Sequence, residues 1–168
     1  MTSTPGPLLV VCGVSGSGKT TVGQLVAARL SVPFADADDF HAPEAVVKMQ
    51  RGEPLTDADR APWLNQLAAQ LRAWHEAGSG GVLACSALRR AYRTRLSDAA
   101  PVRFVLLTAT EATLRDRLRH REGHFFPPAL LDSQLATLEV DPTLLMVATD
   151  TLTPQETTEV IVATLRGA

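Results

Sequence analysis

Few features of this chain are extreme, and what it lacks removes whole classes of function. Its 168 residues hold only two cysteines, Cys12 and Cys85, and both close apolar strand-like runs. That placement reads as a pair of reduced core thiols in a cytoplasmic protein. The formal net charge of −2 offers no basic footprint for duplex nucleic acid. No apolar run approaches the length needed to cross a membrane. Met1–Pro7 is polar and lacks a charged segment leading into an apolar stretch, so no signal peptide is expected. Repeats, low-complexity tracts and long linkers are missing as well. With 45% hydrophobic and 20% charged residues, residues 1–168 are expected to form one well-buried domain.

Against this plain background stands the octapeptide Gly13-Val14-Ser15-Gly16-Ser17-Gly18-Lys19-Thr20, which fits the phosphate-binding pattern G-x-x-x-x-G-K-[ST]. The preceding run, Leu8-Leu9-Val10-Val11-Cys12, reads as a buried strand. Val22, Leu25, Val26 and Leu30 then recur at helical spacing, so the loop has the strand–loop–helix setting that the motif requires. Glycines at these positions let the backbone approach an anion closely. Successive N–H groups then converge on phosphate oxygens at a helix N-terminus. Lys19 supplies a charge for the outer phosphates, and the Thr20 hydroxyl, followed by Thr21, suits a Mg²⁺ ligand.

Strand and helix patterns alternate along the chain, which predicts an α/β fold with a parallel sheet covered on both faces. Strands are expected at Leu8–Cys12, Pro33–Asp36, Val82–Cys85, Val102–Leu107 and Leu144–Ala148. Helices are expected after the glycine-rich loop, at Pro43–Gln50, Ala58–Glu76, Leu88–Leu96 and Glu111–His120, after the break at Pro127-Pro128 through Leu138, and at about Pro154–Leu165.

Asp36-Ala37-Asp38-Asp39-Phe40-His41 closes the second strand, where the carboxyl end of a parallel sheet faces the ligand crevice. Alternation along an extended segment puts Asp36 and Asp38 on one side. Asp36 lies nearer Thr20 and suits the metal shell, whereas Asp38 suits orienting and deprotonating an attacking hydroxyl. Asp39 reads equally well as a cap of the following helix. A second set of charges lies at Lys48, Arg51, Asp57, Asp59, Arg60, Arg89, Arg90 and Arg93. Arginine offers a fork matched to carboxylate, which predicts a pocket for an acidic, hydroxylated acceptor. Arg51 and Arg90 read as surface charge, and Trp63 as packing beside the pocket.

These segments resemble the P-loop gluconate kinases. The resemblance rests on the glycine-rich octapeptide and the Asp36–His41 segment. It extends through Lys48-Met49, Gly52–Leu64, Cys85–Arg89 with Tyr92-Arg93, Arg121–Phe126, Ser133-Gln134 and Thr137-Leu138-Glu139. It implies a P-loop kinase fold, a five-stranded parallel sheet sandwiched by helices, with a mobile lid at about 121–128 and an acceptor-binding region at about 36–64. It implies transfer of the γ-phosphate of ATP, with Mg²⁺, to the 6-hydroxyl of D-gluconate. Acceptor contacts would come from Asp38, His41, Lys48, Arg60, Ser86, Arg89, Arg93 and His124, and related kinases are often homodimers. Two departures are visible: Arg89 stands where many members carry Lys, and Val140-Asp141-Pro142 follows Glu139 in place of an immediate Pro.

The run Arg115–His124 is dense in charge. With Leu114 at zero on a helical wheel, Leu118 falls at about 40°, Arg121 at about −20° and Arg117 at about −60°. Arg115 and Arg119 fall at about 100° and about 140°, toward solvent. Arg117 and Arg121 are therefore read as lid arginines closing on phosphate, with Gly123 as hinge and Phe125-Phe126 as cover. Competing readings are a shikimate-like or nucleoside monophosphate kinase and, in another class, a nucleotide-dependent switch. The switch is disfavoured because no Asn-Lys-x-Asp motif occurs and no Asp-x-x-Gly follows the third strand.

Overall fold

The computed structural model describes residues 4–121 and 128–167. Five strands, β1 (Leu8–Cys12), β2 (Phe34–Asp36), β3 (Gly81–Ala84), β4 (Arg103–Thr108) and β5 (Leu145–Ala148), pair in the order β2-β3-β1-β4-β5. All four pairings are parallel. The connecting helices are α1 (Lys19–Leu30), α2 (Pro43–Gln50), α3 (Asp57–Ala77), α4 (Arg90–Ser97), α5 (Glu111–Arg119), α6 (Pro128–Thr137) and α7 (Pro154–Gly167). None of the described helices is long and apolar enough to cross a membrane.

The uninterrupted apolar run of β1 follows from its central place. Val10 is paired with Leu83 on one side and Phe104 on the other, so both edges of the strand are taken up within the sheet and its two faces meet helices. Leu8, Val10 and Cys12 pack with Leu67 and Leu71 of α3 and Leu96 of α4. Leu9 and Val11 point the other way, to Val22 and Val26 of α1 and Ile161 of α7. A third, smaller cluster joins Val14, Leu88, Leu114 and Leu131 at the carboxyl end of the sheet. It fixes the base of the glycine-rich loop against α5 and α6.

Two expected elements differ in ways that bear on the site. Asp36 does not continue into an extended segment, because Ala37–Phe40 forms a 3-10 turn capped by the Asp36 carboxylate, which accepts the Asp38 N–H at 2.9 Å. The helix expected from Leu88 begins at Arg90, because the loop before it turns through Ala87 at φ 41°. Asp39 caps nothing; the residue before α2 is Ala42, with Pro43 opening the helix.

Candidate active site

The glycine-rich loop leaves β1 at the carboxyl edge of the sheet. At Gly13 a Cβ would sit 2.5 Å from Ser17 Oγ and 2.9 Å from the Leu107 carbonyl oxygen, so no larger residue fits. Gly18 precedes α1 in a left-handed conformation, φ 96°, with no side chain capping the helix. The orphan N–H groups of the first turn are thus left for an anion, with the positive end of the helix behind them. A cleft of about 180 Å³ opens over Ser15, Gly16, Gly18, Lys19, Thr20 and Thr21. Gly13, Val14 and Ser17, expected to share in nucleotide binding, lie beneath it. Val14 is packed in the loop's apolar base, and Ser17 is buried with its N–H donated to the Val14 carbonyl.

Lys19 folds over the loop, its Nζ donating to the Val14 carbonyl at 3.1 Å. Desolvation pulls the pKa of this ammonium below that of an ordinary lysine, opposed by Asp38 and Asp36. The Thr20 hydroxyl donates to the Asp36 carboxylate at 2.6 Å, so the two oxygen groups expected to serve a metal already adjoin each other. Hard oxygen donors of this kind suit Mg²⁺, which usually takes one or two protein ligands and completes its shell with phosphate and water. Among the described residues no group of three or more His, Cys, Asp or Glu is arranged to hold a metal. Any ion at this place would therefore depend on the nucleotide for much of its shell.

Asp38 reaches the same neighbourhood by a different route from the one expected. The 3-10 turn, rather than strand alternation, carries it out over the loop, where it lines the phosphate cleft and a second cleft beside it. The second cleft, about 70 Å³, shares Ser15, Lys19 and Asp38 with the first and adds His41, Arg60 and Ser86 among its walls. The His41 ring stacks on Trp63 at 4.4 Å and 10°, and Trp63 Nε1 donates to the Ala37 carbonyl at 2.7 Å. Trp63 is thus both packing and a wall of the cleft. Burial holds the His41 imidazole below its usual pKa, which favours the neutral ring.

Arg60 adds a second cation to this cleft beside Lys19. Its Nη1 donates to the Leu55 carbonyl at 2.7 Å and to Tyr92 Oη at 3.1 Å, and the guanidinium lies 5.3 Å from the centre of the Tyr92 ring. Tyr92 in turn donates to Asp57 at 2.6 Å. Three elements, α3, α4 and the loop before α3, therefore fix one guanidinium in direction.

Lys48, Arg89 and Arg93, also expected here, do not line the cleft. Lys48 pairs with Asp59 at 2.7 Å. Asp59 also accepts the Thr56 N–H while Thr56 Oγ1 accepts the Asp59 N–H, a capping box at the start of α3. With Lys48 and Thr56 as donors, the Asp59 pKa falls to about 2. Arg89 is exposed at the start of α4. Arg93, only 4% exposed, gives its donors to the carbonyls of Ala87, Leu88 and Glu139 and to Asp141. Its charge is spent on bracing the strained turn at Ala87, which carries Ser86 and Leu88 to the cleft wall. Asp141, one of the departures noted above, is the carboxylate that compensates it. Arg90 also approaches Asp141, at 3.5 Å.

In α5 the helical wheel holds for Leu114 and Arg119 but not for Arg115 or Arg121. Leu114 is buried, whereas Arg119 is 72% exposed beside Asp116. Arg115 is less free than expected, bridging Glu111 and Asp132. Arg117 lines the phosphate cleft and donates to the Gly16 carbonyl and to both Thr149 Oγ1 and its carbonyl, each at 3.1 Å. Arg121 also lines the cleft but is exposed and lies past the end of α5, so its wheel angle does not apply. His124, Gly123 and Phe125-Phe126 fall outside the described residues, as does the expected lid apart from Arg121 and Pro128.

Sequence reasoning counted Asp57 among the pocket charges and met Tyr92 and Gln134 only as parts of the resemblance, with no role for either. Gln134 lines the acceptor cleft, and its Oε1 accepts the Ser15 N–H at 2.7 Å across 119 positions of sequence. No local spacing announces such a contact. The capping box at Thr56 and Asp59 was the one signal available, since Thr-x-x-Asp before an apolar helix marks such a start. Neither cysteine takes part: burial pushes Cys12 up to about 12 and Cys85 higher still, so both stay thiols.

Comparison with known proteins gives a consistent picture. Residues 8–140 match the AAA domain family. A gluconokinase of Gluconobacter oxydans is 55% identical over 133 residues, covering 79% of this chain and 75% of that protein. A sugar kinase from Janibacter superposes with a TM-score of 0.89 at 44% identity, over 98% of this chain and 96% of that one. A gluconokinase from Sinorhizobium meliloti superposes with a TM-score of 0.85 at 38% identity, over 98% and 94%.

Proposed function

The chain belongs to the gluconokinase family, and from that premise we propose that it transfers the γ-phosphoryl group of ATP to the 6-hydroxyl of D-gluconate. The observation that carries the reading is the shared wall of the two clefts: Ser15, Lys19 and Asp38 belong to both. A phosphate held over the loop and a hydroxyl held beside Asp38 would meet across that wall. In the reaction the O6–phosphorus bond forms as the bond from phosphorus to the β–γ bridging oxygen breaks. ADP leaves with the bridging oxygen, and the hydroxyl proton passes to the Asp38 carboxylate.

The parts divide by chemistry. The free N–H groups at the start of α1 and the Lys19 ammonium meet the charge that builds on the phosphoryl oxygens. Thr20 and Asp36 are the oxygen groups suited to hold Mg²⁺, which supplies charge neutralisation to the phosphates when bound. Arg60 is the fixed guanidinium suited to the gluconate carboxylate, and Ser86 and neutral His41 suit its hydroxyls. Arg117 ties Gly16 to Thr149 and stiffens the loop from the side. A cytoplasmic setting, with two free buried thiols, and a homodimeric state complete the reading. Sedimentation equilibrium decides the last.

The purified protein is expected to phosphorylate D-gluconate with MgATP, read by ADP release in a coupled assay, and to leave shikimate, AMP and CMP untouched. Turnover of shikimate with none of gluconate overturns the assignment in favour of a shikimate-like kinase. ATP hydrolysis insensitive to every acceptor favours the switch.

A further inference from the structure

We infer that Gln134 is a positioning residue that couples occupation of the acceptor cleft to the grip of the phosphate loop. The inference deepens the kinase reading above and rests on it.

Gln134 stands on α6, well away in sequence from the loop, yet its side chain meets the loop at Ser15. Ser15 is one of the residues that line both clefts, and Gln134 lines the acceptor cleft. The link therefore joins the acceptor wall to the loop at the boundary between the two substrates. Chemistry fixes which end of the carboxamide faces which way. A backbone N–H only donates, so the 2.7 Å contact must be made by the carbonyl oxygen Oε1. The amide nitrogen is then left over, and among the described residues it has no hydrogen-bond partner. An acceptor rich in hydroxyls and carrying a carboxylate offers that nitrogen an oxygen.

An N–H donated from Nε2 to the acceptor polarises the carboxamide and strengthens the acceptance of the Ser15 N–H at Oε1. Holding Ser15 in place keeps the neighbouring loop amides aimed at phosphate. Acceptor binding should therefore tighten nucleotide binding, and by linkage nucleotide should tighten acceptor binding by the same factor. The base of α6 supports this transmission, since Leu131, one turn before Gln134, packs with Val14 and Leu88 at the root of the loop.

The test measures binding of a non-hydrolysable ATP analogue with Mg²⁺ by calorimetry, with and without saturating D-gluconate. The ratio of the two dissociation constants is the coupling factor. The wild-type factor is expected to be at least about 5-fold, the low end of typical coupling between sites. In Gln134→Met, which keeps length without hydrogen bonds, it should fall to about one. In Gln134→Glu, which still accepts from Ser15 but has no amide N–H to donate, it should be lost equally, with weaker gluconate binding. Nucleotide affinity without gluconate should also fall in Gln134→Glu, because its carboxylate stands at the edge of the phosphate cleft, so the quantity compared is the ratio with and without gluconate and not either constant alone.

A merely structural role would lower the melting temperature of both variants while leaving the coupling factor intact, and that outcome overturns the inference. So does a wild-type factor of one. Absence of gluconate phosphorylation by the wild type instead overturns the kinase reading beneath it, and the two failures are told apart by that assay alone.

Discussion

The nucleotide half and the acceptor half of the site are built by opposite means. From Gly13 to Thr21 the chain makes its cradle from contiguous backbone, with glycine torsions turning the helix-end amides toward the cleft. The acceptor cleft draws its walls from the turn after β2, from α3, from the loop after β3 and from α6. Arg60, the cation it does not share with the phosphate cleft among the described residues, is aimed by Tyr92 and Leu55. A backbone cradle tolerates changes in its surroundings but not at its own few positions. A side-chain cleft depends on supports distant in sequence, and specificity can change there without disturbing phosphate binding.

The largest effect tests the first half. Lys19→Ala removes the point charge over the phosphate cleft, and turnover should fall at least about 10²–10³-fold, the usual cost of losing one preorganised electrostatic partner. Circular dichroism should show an intact fold. Near-full turnover in a folded variant would mean that the loop binds something other than the transferred phosphate.

Next comes the carboxylate that belongs to both halves. Asp38→Asn should cut turnover by about 10²-fold or more, within the range for a positioned proton acceptor, and leave nucleotide affinity nearly unchanged. Asp36→Asn should instead raise the Mg²⁺ concentration needed for half-maximal rate, because its partner is Thr20. If Asp38→Asn altered the metal requirement and Asp36→Asn did not, the two roles would have to be exchanged.

A smaller change isolates the acceptor half. Arg60→Ala should raise KM for gluconate by about 10–100-fold, the worth of a charged hydrogen bond of about 1.5–3 kcal/mol, with KM for ATP steady. Arg93→Ala should show the contrast: a lower melting temperature from three unbraced carbonyls and an Asp141 left with only the exposed Arg90 as a charged partner. An equal rise in gluconate KM without loss of stability in Arg93→Ala would return that residue to the cleft.

This contrast also explains what could be read beforehand. The sheet, its parallel sense and the loop were legible because each depends on neighbours in sequence: the apolar run of β1, the helical spacing after it, the three loop glycines. Asp36, Asp38 and Arg60 were legible as chemistry and Ser86 through the resemblance, and the structure brings them near one another. What stayed hidden was which basic residues are consumed by carbonyls and carboxylates. Arg60 and Arg93 look alike in sequence, but one faces a cleft and the other fills the back of the strained turn at Ala87. Long-range pairs such as Ser15 with Gln134 leave no trace in local spacing.

The smallest effect concerns a pair that sequence alone assigned to the pocket. Lys48 and Asp59 are about one-third exposed, at 30% and 32%, and lie 2.7 Å apart at the start of α3. Hydrogen bonds from Lys48 and Thr56 hold Asp59 to a pKa of about 2. The ordinary carboxylate value is about 3.9, so the folded state favours the charged form. A depressed carboxylate adds stability above its unfolded pKa and loses it as pH falls through the folded one. Asp59→Asn keeps an acceptor for the Thr56 N–H but removes the charge. Its melting temperature should therefore lie slightly below wild type at pH 7 and at pH 5, and the gap should close between pH about 4 and about 2. Salt should narrow the gap as well, because the pair is exposed to solvent. KM for gluconate should not move in Asp59→Asn or in Lys48→Met if the pair only starts the helix that carries Arg60. A rise in that KM with an unchanged melting temperature would put Lys48 back at the acceptor, and the division between a backbone half and a side-chain half centred on Arg60 would fail.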